Sequence, residues 1–461
     1  MTSFLMNQST VQVGIDAMSF YIPSIYLDLQ TLAPSRNLDY EKLSKGLGVL
    51  KMALPDTNED AASMAANAVL KLLKDYNLNP SDIGRLYIGT ESGLDGAKPI
   101  ATYVLEMLTQ KLQEENNTEA EFFENCDALD MTFACIGGVD ALQNTLDWAR
   151  NNKNRVGIVV STDYAKYDKF SGGEYTQGAG AVAMLIKQNP RLLAINDIWG
   201  ISTKSEHDFF KPNFRETPVF DGQFSNSCYQ NRLHDAYFSF KKQAIEEGVY
   251  DKNSILSEEW NSLIFHLPYA FHGKRMFSQI FTEERILTDN QEIKTLFLEK
   301  SNLKEEDINI DSAQLVRLIS KTDLYKNFVK EKISDSQLAS SEIGNMYTAS
   351  IFMALMSCLE MKLSKKEDLE NQRIGFCAYG SGSKSKVFEG ILQKDAKEII
   401  EKFGIFSTLK LRQAVDLDTY EKLHDKKQAI PVSKQKEKFV LSEIKQEPET
   451  LAKARFYAYL K

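Results

Sequence analysis

Twice along this chain, a short apolar run delivers a polar residue, a polar opening then leads into a helix, and a second apolar run follows. In the first pass, Arg85–Thr90 leads to Glu91. Val139, Leu142, Leu146 and Ala149 then repeat at helical spacing after Cys135, and Arg155–Val160 follows. In the second pass, Ser262–Phe265 ends at His266, and a long apolar helix over Met346–Leu363 follows Gly344 and Asn345. Arg373–Ala378 then ends in Tyr379, Gly380, Ser381 and Gly382. Continuous apolar runs of this length suit strands covered on both faces. The order predicts a duplicated α/β body in which strand ends and helix starts of both halves converge on one cleft. The expected division is residues 1–230 and 231–461. The halves share order and chemistry rather than identity, so a chance match of generic α/β order is the alternative.

Other segments fill in the body. Glu59–Tyr76 carries Met64, Ala68, Val69, Leu72, Leu73 and Tyr76 on one helical stripe, and Gly180–Ile186 reads as another buried strand. Leu112–Thr118 is polar and is expected to be an exposed insertion. Residues from about Lys204 to Tyr229 show no period and read as a long loop, a feature often tied to function. The charged tail after Glu421 ends in apolar residues that predict docking on the body.

Composition matters for what it excludes. Hydrophobic residues at 43% and charged residues at 26% fit a folded chain with a sizeable core rather than a disordered one. A formal net charge of −9 argues against nucleic acid as a main partner, because such proteins use a basic excess to displace counterions. The five cysteines, Cys126, Cys135, Cys228, Cys358 and Cys377, are odd in number and contain no CxxC pair. That is a poor disulfide or zinc framework and points to a reducing compartment, here the cytoplasm. The N-terminus lacks the basic and apolar regions of a signal peptide, and no run of about 20 apolar residues predicts a membrane span.

A few residues have the chemistry and the placement of a reactive site. Cys135 opens a helix, where the positive end of the helix dipole and free N–H groups favour a thiolate. Gly137 and Gly138 then allow a ligand close to the backbone. A buried structural cysteine is the other reading. Glu91 ends an apolar strand, where desolvation would raise its pKa towards that of a general base. A helix cap or solvated loop acid is its alternative, with Asp95 the better cap. His266, one of five histidines, mirrors Glu91 in the second half, although such a residue is often a satisfied core histidine. Asn345 is a good N-cap and could also hold a substrate carbonyl. Gly380–Ser381–Gly382 could aim an N–H at an oxyanion, or be an ordinary turn. The GAGAV run at Gly178–Val182 lacks the spacing of a dinucleotide site.

In their joint order, IGTESGLDGAKPIATY, the FAC helix start, QGAGAVAMLI, DFFKP with FDGQFSNSCY, FHLPYAFHGK, GNMYTAS and YGSGS resemble the 3-hydroxy-3-methylglutaryl-CoA synthases. The resemblance runs from Val13 nearly to the C-terminus. It implies a duplicated thiolase-like fold of five layers, αβαβα. It also implies condensation of acetyl-CoA with acetoacetyl-CoA through an acetyl-cysteine, without metal or redox cofactor, in a homodimer. In that reading Cys135 is the nucleophile, Glu91 the base at the acetyl methyl, and His266 the residue that positions the acetoacetyl thioester with help from Asn345. The main-chain N–H groups of Ser381 and Cys135 stabilise thioester oxyanions. Asp163, Tyr167, Asp208 and Phe209 match positions in or behind the acyl pocket, and Lys274 or Arg275 could meet a CoA phosphate. Two residues depart from the family pattern: Ile136 stands where a tyrosine is usual, and Phe271 where a lysine is common. They keep open a β-branching synthase that acts on carrier-protein thioesters. The glutamate base disfavours a simple thiolase or ketoacyl synthase. Retention of Glu91, Cys135 and His266 argues against an inactive scaffold.

Overall fold

A computed structural model describes residues 11–309 and 312–461. Most of the N-terminal stretch considered above for a signal peptide lies outside the described residues. The helices used below are α1 (Ala61–Asp75), α2 (Ile100–Asn116), α3 (Gly137–Arg150), α4 (Gly222–Glu246), α5 (His272–Ile286), α6 (Ser350–Ser364) and α7 (Leu417–His424).

The first half-sheet contains β1 (Val13–Tyr21), β2 (Ile83–Gly89), β3 (Asp127–Met131), β4 (Val156–Ala165) and β5 (Gly178–Gln188), in the order β3-β2-β4-β5-β1. β2 runs parallel to β3 and β4, whereas β5 is antiparallel to β4 and β1. The second half-sheet contains β6 (Leu193–Ile195), β7 (Gly200–Thr203), β8 (Ser262–Phe265), β9 (Arg373–Gly380) and β10 (Lys384–Leu392). Here β8 is parallel to β9, β10 is antiparallel to β9, and β6 and β7 pair antiparallel with β10. Order and strand sense repeat, so β2 matches β8, β4 matches β9 and β5 matches β10. Among the described residues no strand of the second half stands where β3 does; the chain between β8 and β9 is helical. β6 also pairs with β1 and joins the halves.

Side-chain alternation along β4 separates the layers. Thr162 donates to the Ala61 carbonyl in α1, while its neighbour Ser161 lies against Gly138 in α3. On the inner side α3 meets α6, where Phe352 packs near Gly138, and α6 covers β8. α4 packs on β7, β9 and β10. The result is the five-layered αβαβα arrangement. Central position explains α6, which is buried from Ser350 to Leu359 without an exposed stripe. α1 is similarly enclosed, with Asp60 and Ser63 forming a capping box at its start. The stripe expected at Glu59–Tyr76 was therefore only part of a buried surface.

Several expectations need correcting. Leu112–Asn116 is not an insertion but the last turns of α2. The long loop ends sooner than expected, because the Asp221 side chain caps α4 by accepting from Gln223 and Phe224 N–H. Residue 230, the expected boundary, lies inside that helix. The tail does dock: β11 (Lys438–Ile444) and β12 (Arg455–Leu460) form a hairpin whose Phe439 main chain is held at both ends by the Asn67 amide. Among the described residues no helix is long and apolar enough to cross a membrane.

Candidate active site

Cys135 follows β3 and precedes α3 in a tight turn that places Ala134 at φ 40°, a strained value for a residue with a Cβ. The strain is held by packing from three elements. Gly89 at the end of β2 lies so close to Gly138 that a Cβ there would come within 2.3 Å of its main chain. At the end of β9, a Cβ on Gly380 would meet the Phe133 carbonyl and Ile136 at 2.8 Å. The closeness of the glycine pair is thus used for helix–strand packing rather than for ligand approach, as the sequence suggested. Ile136 turns inward and is fully buried.

The end of β2 brings Glu91 to the same point, and the Cys135 thiol donates to Glu91 Oε1 at 2.9 Å. Burial first, and then the negative charge of Asp163, push the Glu91 carboxyl up to about 8. Burial and Glu91 also raise the thiol well above its ordinary value. The expected lowered thiol pKa is therefore overturned in this state: desolvation and a neighbouring carboxylate outweigh the helix dipole. The pair shares a proton across this half-buried contact.

Asp163, buried near the end of β4, organises this corner. It accepts from Thr90 Oγ1, Glu91 N–H and Ser92 Oγ in the first half, and from Thr348 N–H and Oγ1 in the second. One carboxylate thus ties the Glu91 loop to the segment that opens α6. Asp208, also buried, accepts from Ser225 Oγ, Tyr379 OH and Gly382 N–H, which fixes the turn containing Ser381. Tyr167, Tyr347, Phe209 and Phe220 pack edge to face around Cys135 and form an apolar wall.

His266 follows β8, and its N–H donates to the Cys377 carbonyl of β9, one strand from the Tyr379–Gly380 end that packs on the Cys135 turn. Its ring is buried and stacked near Tyr229, whose hydroxyl donates to the His266 carbonyl. Among the described residues Nδ1 has no hydrogen-bond partner, and burial pushes the imidazole down to about 3, so it is neutral. Asn345 is buried; its Oδ1 accepts from Tyr347 N–H and Ser350 Oγ, as a cap does, and its amide also meets the Tyr167 hydroxyl. Lys274 and Arg275 stand in the first turn of α5. Lys274 sits 3.3 Å from the Phe271 ring centroid, and Arg275 donates to the Gly46 carbonyl. Asp95 caps its own turn by accepting from Ala97 and Lys98 N–H.

Sequence reasoning did not single out Tyr347, Phe220, Tyr229, Thr348 or Lys211, which donates to the Glu91 carbonyl at 2.7 Å. All of them stand in motifs already noted, but an aromatic residue in a loop gives no local sign of which cavity it walls. The five cysteines are unpaired, and among the described residues no group of three or more His, Cys, Asp and Glu is placed to hold a metal ion.

A helix-opening cysteine bonded to a strand-end glutamate, on a duplicated five-layered body, defines a thiolase-fold condensing enzyme. Residues 9–190 match the model of the hydroxymethylglutaryl-coenzyme A synthase N terminal, and residues 195–458 that of its C terminal. The hydroxymethylglutaryl-CoA synthase of Haloferax volcanii is 31% identical over 90% of this chain and 91% of its own length. That of Schizosaccharomyces pombe is 30% identical over 89% and 88%. The solved structure of MvaS in complex with 3-hydroxy-3-methylglutaryl coenzyme A superposes with a TM-score of 0.82 at 28% identity, covering 98% of this chain and all of that one. The curacin-pathway HMG synthase, at 21% identity and a TM-score of 0.74, shares the fold. The chain belongs to the hydroxymethylglutaryl-CoA synthase family.

Proposed function

We propose that this protein condenses acetyl-CoA with acetoacetyl-CoA to give 3-hydroxy-3-methylglutaryl-CoA and free CoA, with Cys135 carrying the acetyl group. The observation that supports it most is the 2.9 Å hydrogen bond between the Cys135 thiol and Glu91 beside an aromatic wall. The thiol gives up its proton and attacks the acetyl-CoA carbonyl; CoA leaves and takes a proton. One thioester replaces another, so the step is nearly balanced. Glu91, as the carboxylate, then removes a proton from the acetyl methyl. The resulting enolate attacks the C3 ketone of acetoacetyl-CoA, forming the new carbon–carbon bond, and the alkoxide takes up a proton. Water finally cleaves the Cys135 thioester and makes the sequence irreversible.

His266, neutral and backed by Tyr229, is the residue we assign to the acceptor thioester, with Asn345 beside it. The main-chain N–H groups of Cys135 and Ser381 serve the oxyanions. Asp163 and Asp208 hold these groups in place, and Tyr167 and Phe209 shape the acyl pocket. Lys274 and Arg275 are the candidates for a CoA phosphate, with the Lys274 ammonium over the Phe271 ring. A homodimer is part of the reading: among the described residues β3 pairs only with β2, and its Leu129 is 42% exposed, leaving an edge of the kind that proteins usually cover. The unpaired cysteines support a cytoplasmic setting.

Intact-mass measurement after brief exposure to acetyl-CoA tests the central claim. One acetyl group on Cys135, discharged on adding acetoacetyl-CoA, is expected. A protein that takes no acetyl group sinks the reading. Turnover of free acetoacetyl-CoA, or rescue of a mevalonate-pathway mutant, separates it from a synthase restricted to carrier-protein substrates.

A further inference from the structure

The wall of the acyl pocket is held from behind by a helix that no step above uses. Tyr167 follows β4, and both of its main-chain polar groups end on side chains. Its N–H donates to Gln177 Oε1 at 2.7 Å. Its carbonyl lies 2.8 Å from Nε2 of His424, the last residue of α7. A carbonyl only accepts, so His424 carries a proton on Nε2. One turn earlier, Tyr420 OH donates to Glu174 Oε1 at 3.0 Å and accepts from Gln177 Nε2 at 2.9 Å. Glu174 also takes the Phe170 N–H and two donors of Arg36, which reaches on to Glu421 of α7.

Tyr420, Gln177, Glu174 and His424 are all buried, and each has its partners. A fully satisfied buried network fixes its members closely, and breaking one link leaves a polar group stranded. The far side of Tyr167 is the pocket. Its ring meets Phe209, Phe220 and Tyr347, and its hydroxyl meets Tyr347 and Asn345. A shift of the Tyr167 main chain therefore moves the wall beside the Cys135 thiol.

We propose that α7 is a positioning element for the acyl pocket, with His424 and Tyr420 acting through the main chain of Tyr167. The inference rests on Cys135 being the acyl carrier. It makes the C-terminal segment part of the site's construction, although α7 contributes no group to the reacting atoms.

His424→Phe removes the donor and keeps a flat ring; His424→Gln restores an N–H. Acetylation of Cys135, steady-state condensation and thermal stability are measured on the full-length protein. Displacements of about 1 Å near reacting groups cost up to about 10²-fold, so His424→Phe is expected to lower kcat roughly tenfold, with His424→Gln recovering most of it. Tyr420→Phe, which deletes one oxygen, is expected to lower kcat by about two- to tenfold, the usual worth of a neutral hydrogen bond. In a Tyr167→Ala background, where the wall is gone, His424→Phe is expected to add little. A His424→Phe loss of full size in that background, or lowered stability with unchanged kcat in both His424→Phe and Tyr420→Phe, overturns the proposal. Wild-type protein that takes no acetyl group overturns the acyl-carrier reading and this role with it. Normal wild-type acetylation beside full-rate variants overturns the positioning role alone.

Discussion

At the end of β2 stands Glu91; at the matching end of β8 stands His266. The turn before α3 presents Cys135, and the segment before α6 presents Asn345. The frame is the same, but the chemistry is divided. The first half holds two groups that ionise and share a proton, in an environment that pushes both pKa values up. The second holds an amide and an imidazole that burial keeps neutral. The halves meet through Asp163, which bonds Thr90, Glu91 and Ser92 on one side and Thr348 on the other. On the proposed reading, bond-making and proton transfer belong to the first half and orientation of the acceptor to the second.

The largest expected effect comes from the first half. Cys135→Ala should lose both the acetyl label and turnover, to background. Acetylation at another cysteine in that variant would break the assignment at its root. Glu91→Ala should divide the two stages. Removing the carboxylate takes away a negative charge that holds the thiol pKa up, so acetyl transfer to Cys135 should persist. Condensation should fall by about 10²–10⁴-fold, the usual worth of a placed acid–base group. In the wild type the base form of Glu91 appears as pH rises, so condensation should climb along a limb centred near 8. A Glu91→Gln enzyme that keeps this limb points to another base.

The second half should answer differently. His266→Ala should raise the KM for acetoacetyl-CoA by about 10–100-fold, the loss expected when a hydrogen bond that holds the bound acceptor is removed. Enzyme acetylation should change far less. Equal loss of both stages would erase the division of labour and leave His266 a structural residue.

Much of this contrast is legible in the sequence, and the exceptions have physical causes. Residues 262–265 and the run from 373 show themselves because strands covered on both faces need continuous apolar runs. The Glu91–His266 correspondence shows for the same reason: each ends such a run. The thiol pKa was misjudged because its dominant neighbour lies 44 residues away, and helix-start logic sees only the local dipole. The start of α4 was hidden because Gly222–Cys228 carries few apolar residues and much of that turn is exposed; only Asp221 as a cap marked it. The boundary within residues 204–230 was blurred by the same segment. The pocket wall was illegible in a further sense. Tyr347 and Phe220 meet Tyr167 only after three separate segments fold together.

The smallest expected effect concerns stability, and it has opposite signs in the two halves. The Glu91 carboxyl is raised from 4.5 to about 8 in the folded state. The folded protein therefore holds a proton that the unfolded chain has released between those values. Stability from this group is complete below about 4.5 and is lost as pH rises towards 8. His266 is lowered from 6.5 to about 3. Here the unfolded chain binds a proton that the folded state refuses, so its contribution is present above about 6.5 and is lost as pH falls towards 3. Within either window the slope is at most about 1.4 kcal/mol per pH unit. Glu91→Gln should therefore raise the melting temperature relative to wild type more at pH 8 than at pH 5. His266→Asn should do the reverse, with its relative gain at pH 5; His272, which burial and then His266 push down to about 3, remains in all three proteins. Melting curves of the three proteins across pH 5–8 check the signs. Parallel curves for wild type and both variants would show that neither group titrates differently on folding, and the electrostatic division between the halves would fail.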